Sequence, residues 1–117
     1  EAYLEILPGV QLIPQVIGIA REHHGKLPMA VATGSTRKVV QEVMDMTGIS
    51  HLFKALVTSE DVVNQKPAPD IFLEAARRIG VPAENCRAYE DTDLGMRAIR
   101  SAGMDAVDVR ELLRATT

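Results

Sequence analysis

The 117 residues carry 46% apolar and 25% charged side chains and a formal net charge of −3, the make-up of one globular domain large enough to bury a core. No basic cluster offers a surface to nucleic acid or to an anionic membrane, and no apolar run approaches the ~20 residues that span a bilayer. The lone cysteine, Cys86, excludes an internal disulfide and reads as a small core residue; with no secretory pattern at the start, the compartment expected is the cytoplasm.

Glu1 to Leu7 is ambiguous, one reading being the tail of an earlier helix. Pro8-Gly9 marks a turn. From Val10 onward, Ile13, Val16, Ile17 and Ala20 fall on one face of a helix, with Pro14 tolerable only in its first turn and Gly25 placed as its cap. His23 and His24 read as solvated residues at that helix's C-terminus rather than as metal ligands. Pro28 to Ala32 is a short apolar strand, followed by Thr33-Gly34-Ser35-Thr36 and a helix with Val40, Val43 and Met44 inward and Gly48 closing it. Ala55 to Val57 is a second buried strand, followed by Thr58 to Asp61 and the stiff loop Gln65-Lys66-Pro67-Ala68-Pro69. A third helix starts near Asp70, presents Phe72, Ala75, Ala76 and Ile79, and ends at Gly80. The strand Cys86 to Tyr89 leads into Glu90, Asp91 and Asp93, then a helix with Leu94, Ala98, Ile99 and Ala102 on one face. Ala106 to Val109 is a last strand and Glu111 to Ala115 a short tail.

Short continuous apolar runs alternating with helices specify right-handed βαβ units around a parallel sheet, so the fold class expected is α/β, doubly wound. Ligands of such sheets bind beyond the C-terminal ends of the strands. Thr33 to Ser35, Lys66, and Glu90 with Asp91 all fall on that rim.

Each group has a plain reading beside the chemical one. Thr33-Gly34-Ser35 offers a hydroxyl and outward amides for an anion, though Ser35 or Thr36 would serve equally as a helix cap. Lys66, stiffened by Pro67 and Pro69, is either a charge set against a phosphate or a flexible surface lysine, and on the first reading too a rim lysine is expected to add little stability. Glu90 and Asp91 are adjacent like charges, which a hard divalent cation neutralises; the plain alternative is an acidic first turn favoured by the helix dipole. Hydroxyl, lysine and paired acids together suit electrostatic stabilisation of phosphoryl transfer.

The order V-A-T-G-S, K-P-A-P-D-I-F, Y-E-D-T-D-L-G-M-R-A-I-R-S-A-G-M resembles the haloacid dehalogenase superfamily, and more closely its sugar-phosphate phosphatase and β-phosphoglucomutase-like branch. The resemblance runs from Pro8 to about Val109, and A-G-M-D-A-V-D-V-R is similar to fructose-1-phosphate phosphatase-like members. It implies a Rossmann-like core in which Thr33 binds the transferring phosphate with Gly34 and Ser35. Lys66 would bridge phosphate and nucleophile, and Glu90 and Asp91 would hold Mg²⁺. The partner implied is a small phosphate ester, with neither nucleic acid nor membrane.

The family's nucleophile and its acid/base are two aspartates in a D-x-D-x-[TV] motif on an N-terminal strand, and this sequence has no such motif; Asp91-Thr92-Asp93 belongs to the acidic metal motif. Residues 1–117 are therefore expected to be the C-terminal portion of such a core, lacking that strand and the cap domain, with the upstream part of the same chain as partner. The missing strand would lie between those ending at Thr33 and Tyr89, leaving two edges unpaired. Three activities are compatible with the motifs: a phosphatase acting through an aspartyl-phosphate, a phosphosugar mutase, and a non-catalytic phosphate-binding module. A phospho-acceptor signalling domain is disfavoured, because its acids would precede the hydroxyl and lysine.

Overall fold

The computed structural model describes residues 4–7 and 14–115. In chain order the elements are β1 (Leu4–Leu7), α1 (Pro14–His23), β2 (Met29–Ala32), α2 (Arg37–Thr47), β3 (Ala55–Val57), α3 (Asp70–Ile79), β4 (Cys86–Glu90), α4 (Asp93–Ser101), β5 (Asp105–Asp108) and α5 (Val109–Ala115). The strands form one parallel sheet in the order β3-β2-β1-β4-β5. The chain winds outward from β1 to β3, then crosses back and winds the other way through β4 and β5. That is the doubly wound class the sequence predicts, with its switch point between β1 and β4.

The strand residues alternate between two cores, as a period of two requires. Ala30, Ala32, Cys86 and Ala88 face a cluster with Phe72 and Ala76 of α3 and Ala98 and Ile99 of α4. Met29, Val31 and Tyr89 face another with Val16 and Ala20 of α1, Val40 and Met44 of α2, and Val109 of α5. Reversal at the switch point thus puts α3 and α4 on one face and α1, α2 and α5 on the other. Helix ends follow the predicted punctuation: Gly48 and Gly80 close α2 and α3 in the left-handed region, at φ 69° and 74°. Pro14 opens α1, where its missing N–H has no bond to lose. Among the described residues, no helix is long and apolar enough to cross a membrane.

Three expectations change. The two edges expected to be unpaired are not: Leu4–Leu7 lies between them, Ile6 opposite Ala30 on one side and Ala88 on the other. The physical reason is the backbone itself, because donors and acceptors facing each other across a one-strand gap are satisfied by any extended segment that enters it. Leu94, placed inward by the sequence pattern, is 51% exposed, whereas Ala98, Ile99 and Ala102 of the same predicted face are buried; Gly95 and Met96 complete that buried face in the first turn of α4 in place of Leu94. The tail is a helix, α5, which Val109 begins rather than ending β5. Val10 to Ile13 and the Pro8-Gly9 turn lie outside the described residues.

Candidate functional site

The C-terminal end of β4 delivers Glu90 into a nearly dry position, 3% exposed. Both its carboxylate oxygens are engaged. Oε2 accepts from Lys66 Nζ at 2.7 Å. Oε1 accepts from the Asp91 backbone N–H at 3.0 Å and from the Thr92 hydroxyl at 3.2 Å. Thr92 is the N-cap of α4, and its Oγ1 also accepts from the Gly95 N–H at 3.0 Å. Lys66 reaches Glu90 from the loop between β3 and α3, whose Lys66–Pro67 peptide is cis. Its ammonium also stands 5.3 Å from the centroid of the buried Phe72 ring, within cation–π range.

Burial alone would raise the Glu90 pKa; the charge and hydrogen bond of Lys66, with the bonds to Asp91, outweigh it and hold the carboxyl below its ordinary value. Asp91 moves the other way. Burial, then the hydrogen bond and charge of Glu90, push its carboxyl up. One ammonium therefore pairs directly with one of two adjacent acids, while burial and the neighbouring carboxylate outweigh its weaker pull on the second.

Across β1, the other predicted group forms its own unit. Thr33 is 1% exposed, and its Oγ1 accepts from the Ser35 N–H at 3.1 Å, so the hydroxyl proton points away from that bond. The Ser35 carbonyl accepts from Ser59 N–H at 3.3 Å and Ser59 Oγ at 3.2 Å, pinning the loop to the 3-10 turn Ser59–Asp61. Gly34 is exposed, with nothing within 4 Å of where a side chain would begin. Thr36 occupies the N-cap position of α2 without a side-chain cap bond; Glu60 Oε1 accepts from the Arg37 N–H at 2.8 Å instead. The structure thus brings Lys66, Glu90 and Asp91 together, and sets Thr33, Gly34 and Ser35 on the far side of β1, about 10 Å away by strand spacing. A groove of about 610 Å³ lined by Thr36, Arg37, Lys38, Gln41, Glu42, Asp45 and Glu60 includes none of these six.

Glu90 and Asp91 are hard oxygen donors of the kind Mg²⁺ takes, usually one or two carboxylates completed by phosphate and water. Among the described residues no group of three or more His, Cys, Asp or Glu side chains could hold a metal. Asp93 stands apart: it is 85% exposed at the side chain and bound by Arg110 at 2.9 Å. Sequence reasoning gave no role at the site to Phe72, Thr92 or Gly95. A Thr at an N-cap position was a usable signal for Thr92; contacts of the other two follow only from the fold.

A family model described as haloacid dehalogenase-like hydrolase matches residues 2–103. The chain is 43% identical over 107 residues to fructose-1-phosphate phosphatase YqaB of Escherichia coli, covering 92% of this chain and 56% of that protein. It is 34% identical over 106 residues to a beta-phosphoglucomutase of Bacillus subtilis, covering 90% and 43%. The crystal structure of a beta-phosphoglucomutase from Clostridium difficile matches with a TM-score of 0.76 at 28% identity, over 83% of this chain and 43% of that one. The chain spans about half the length of the curated relatives it matches.

Proposed function

The chain belongs to the haloacid dehalogenase-like hydrolases, and from that premise we propose that residues 1–117 are the C-terminal portion of the core of an Mg²⁺-dependent phosphatase acting on a small phosphorylated metabolite, a sugar phosphate by class. One observation carries the reading: the 2.7 Å pair of Lys66 and buried Glu90, beside the adjacent carboxylate of Asp91, at the switch point of a doubly wound sheet. Similarity to a fructose-1-phosphate phosphatase supports the substrate class.

In this reading Thr33, its Oγ1 held by the Ser35 N–H, donates its hydroxyl proton to a phosphate oxygen, and the Gly34 amide faces the same anion, with Ser35 positioning the hydroxyl. Lys66 neutralises charge on the transferring group. Glu90 and Asp91 hold Mg²⁺, which supplies further charge neutralisation when bound. The nucleophile is an aspartate of a D-x-D-x-[TV] strand supplied from upstream. Its carboxylate oxygen bonds to phosphorus as the sugar oxygen leaves with a proton from the second aspartate, and water then hydrolyses the aspartyl-phosphate. Similarity to beta-phosphoglucomutases favours a second reading in which the phosphoryl group passes to another sugar hydroxyl instead of to water.

The test is phosphate release from a panel of sugar phosphates by the full-length protein, with Mg²⁺ or with chelator. Mg²⁺-dependent hydrolysis is expected, and none from the 117 residues alone, since an unactivated Thr33 or Ser35 is a poor nucleophile. Asp91→Asn should raise the Mg²⁺ requirement sharply, and Asp93→Asn, already tied to Arg110, should not. Hydrolysis by the short chain at the full-length rate, or equal small effects of both substitutions, would overturn the assignment; isomerised sugar phosphate without free phosphate selects the mutase.

A further inference from the structure

Gly95 is the glycine whose side-chain space is already taken. A Cβ built there would sit 2.0 Å from Glu90 Cδ and 2.1 Å from its Cγ and Oε2, whereas the other described glycines meet nothing within 4 Å. Its backbone does not call for glycine: the glycines at positive φ are Gly25, Gly48, Gly80 and Gly103, and Gly95 lies inside α4. Alanine is the better helix former at such a position. The local preference is therefore overridden by something outside the helix, and the nearest atoms name it as the Glu90 side chain.

We propose that Gly95 is a positioning residue, whose missing side chain makes the space in which Glu90 folds back over α4 to meet Lys66 and Thr92 together. Glu90 cannot step aside at low cost. Its Cγ and Cδ are in the way as well as its tip, both oxygens are hydrogen-bonded, and its side chain is 4% exposed. A methyl group at position 95 would turn the carboxylate outward, detaching Lys66 on one side and moving the pair that Glu90 makes with Asp91 on the other. The functional half of this inference rests on the phosphatase reading; the steric half does not.

The experiment separates the two halves. In the full-length protein, Gly95→Ala is introduced into the natural background and into Lys66→Met/Glu90→Ala, which removes both charges together with the obstructing side chain. Alanine should lower Tm by roughly 5 °C or more in the first and leave it unchanged or raise it in the second. The same loss in both backgrounds, or a triple variant that fails to fold where Lys66→Met/Glu90→Ala folds, overturns the proposal. Should Gly95→Ala alone fail to fold, a folded triple variant supports it. Gly95→Ala should also raise the Mg²⁺ concentration for half-maximal hydrolysis about tenfold or more, with KM for the ester little changed; an unaltered Mg²⁺ requirement at normal turnover overturns the positioning role. A natural protein without Mg²⁺-dependent hydrolysis would remove the phosphatase reading, and the melting comparison would still decide for or against Gly95.

Discussion

With 4% of its side chain exposed, Glu90 keeps its charge because Lys66 stands 2.7 Å away, itself only 19% exposed. The expectation from sequence, that a rim lysine adds little to stability, is therefore revised: removing it strands a buried carboxylate. Taking away one partner of a buried pair is destabilising, and the partial exposure of Lys66 tempers the loss, so Lys66→Met should reduce unfolding stability by about 2 kcal/mol in urea melts. Lys66→Met/Glu90→Gln should regain most of it. Turnover should fall on the order of 10²–10³, the effect of deleting a preorganised charge at a transferring group. A variant with normal turnover and normal stability would sink both claims. The chemical types at this scale were legible, since a lysine and two acids on one rim announce themselves. What was not legible is the 3 Å detail, such as which acid the lysine chooses and which glycine leaves it room.

Among the elements, edge strand β3 is managed by charge. The Leu56 carbonyl accepts from Arg37 of α2 and from Arg78 of α3, each at 3.2 Å, so guanidiniums from both faces of the sheet cover an acceptor that another strand could otherwise use. Asp61 binds both arginines, at 2.6 and 3.5 Å, and Glu74 holds Arg78 at 2.7 Å. Hydrogen bonds from Arg77 and then Arg78 pull the Glu74 carboxyl down from 4.5 to about 2. A depressed carboxylate stabilises the fold above its unfolded pKa, and that contribution is lost as pH falls through its folded value. Glu74→Gln should therefore lower stability at neutral pH by roughly 0.5–1 kcal/mol, the scale of a partly exposed pair, and flatten the acid decline between pH 4.5 and about 2. A wild-type and variant that lose stability in parallel over that window would refute it. Helix faces and caps were readable from period and punctuation. This clamp was not, because its bonds to Leu56 join residues 19 and 22 apart in sequence; at Leu94 the pattern failed because the first turn of α4 buries Gly95 and Met96 instead, and a glycine carries no hydropathy signal.

For the molecule as a whole, the parallel sheet and its rim were legible from alternation of apolar runs and helical periods. The tenant of its central lane was not, since four residues carry too little pattern to declare a strand. Leu4–Leu7 hydrogen-bonds to β2 on one side and to β4 on the other. No second strand can use those same edges at the same time. If the aspartate-bearing strand of the proposed phosphatase takes that lane, it enters only as Leu4–Leu7 leaves, and the segment behaves as a placeholder evicted on complementation. Hydrogen exchange at the Ile6 amide reports the handover: slow in this chain alone, fast once the aspartate strand is joined to it or added as a peptide. An Ile6 amide equally protected in both would mean the lane has one permanent occupant, and the aspartates must reach the rim by another route.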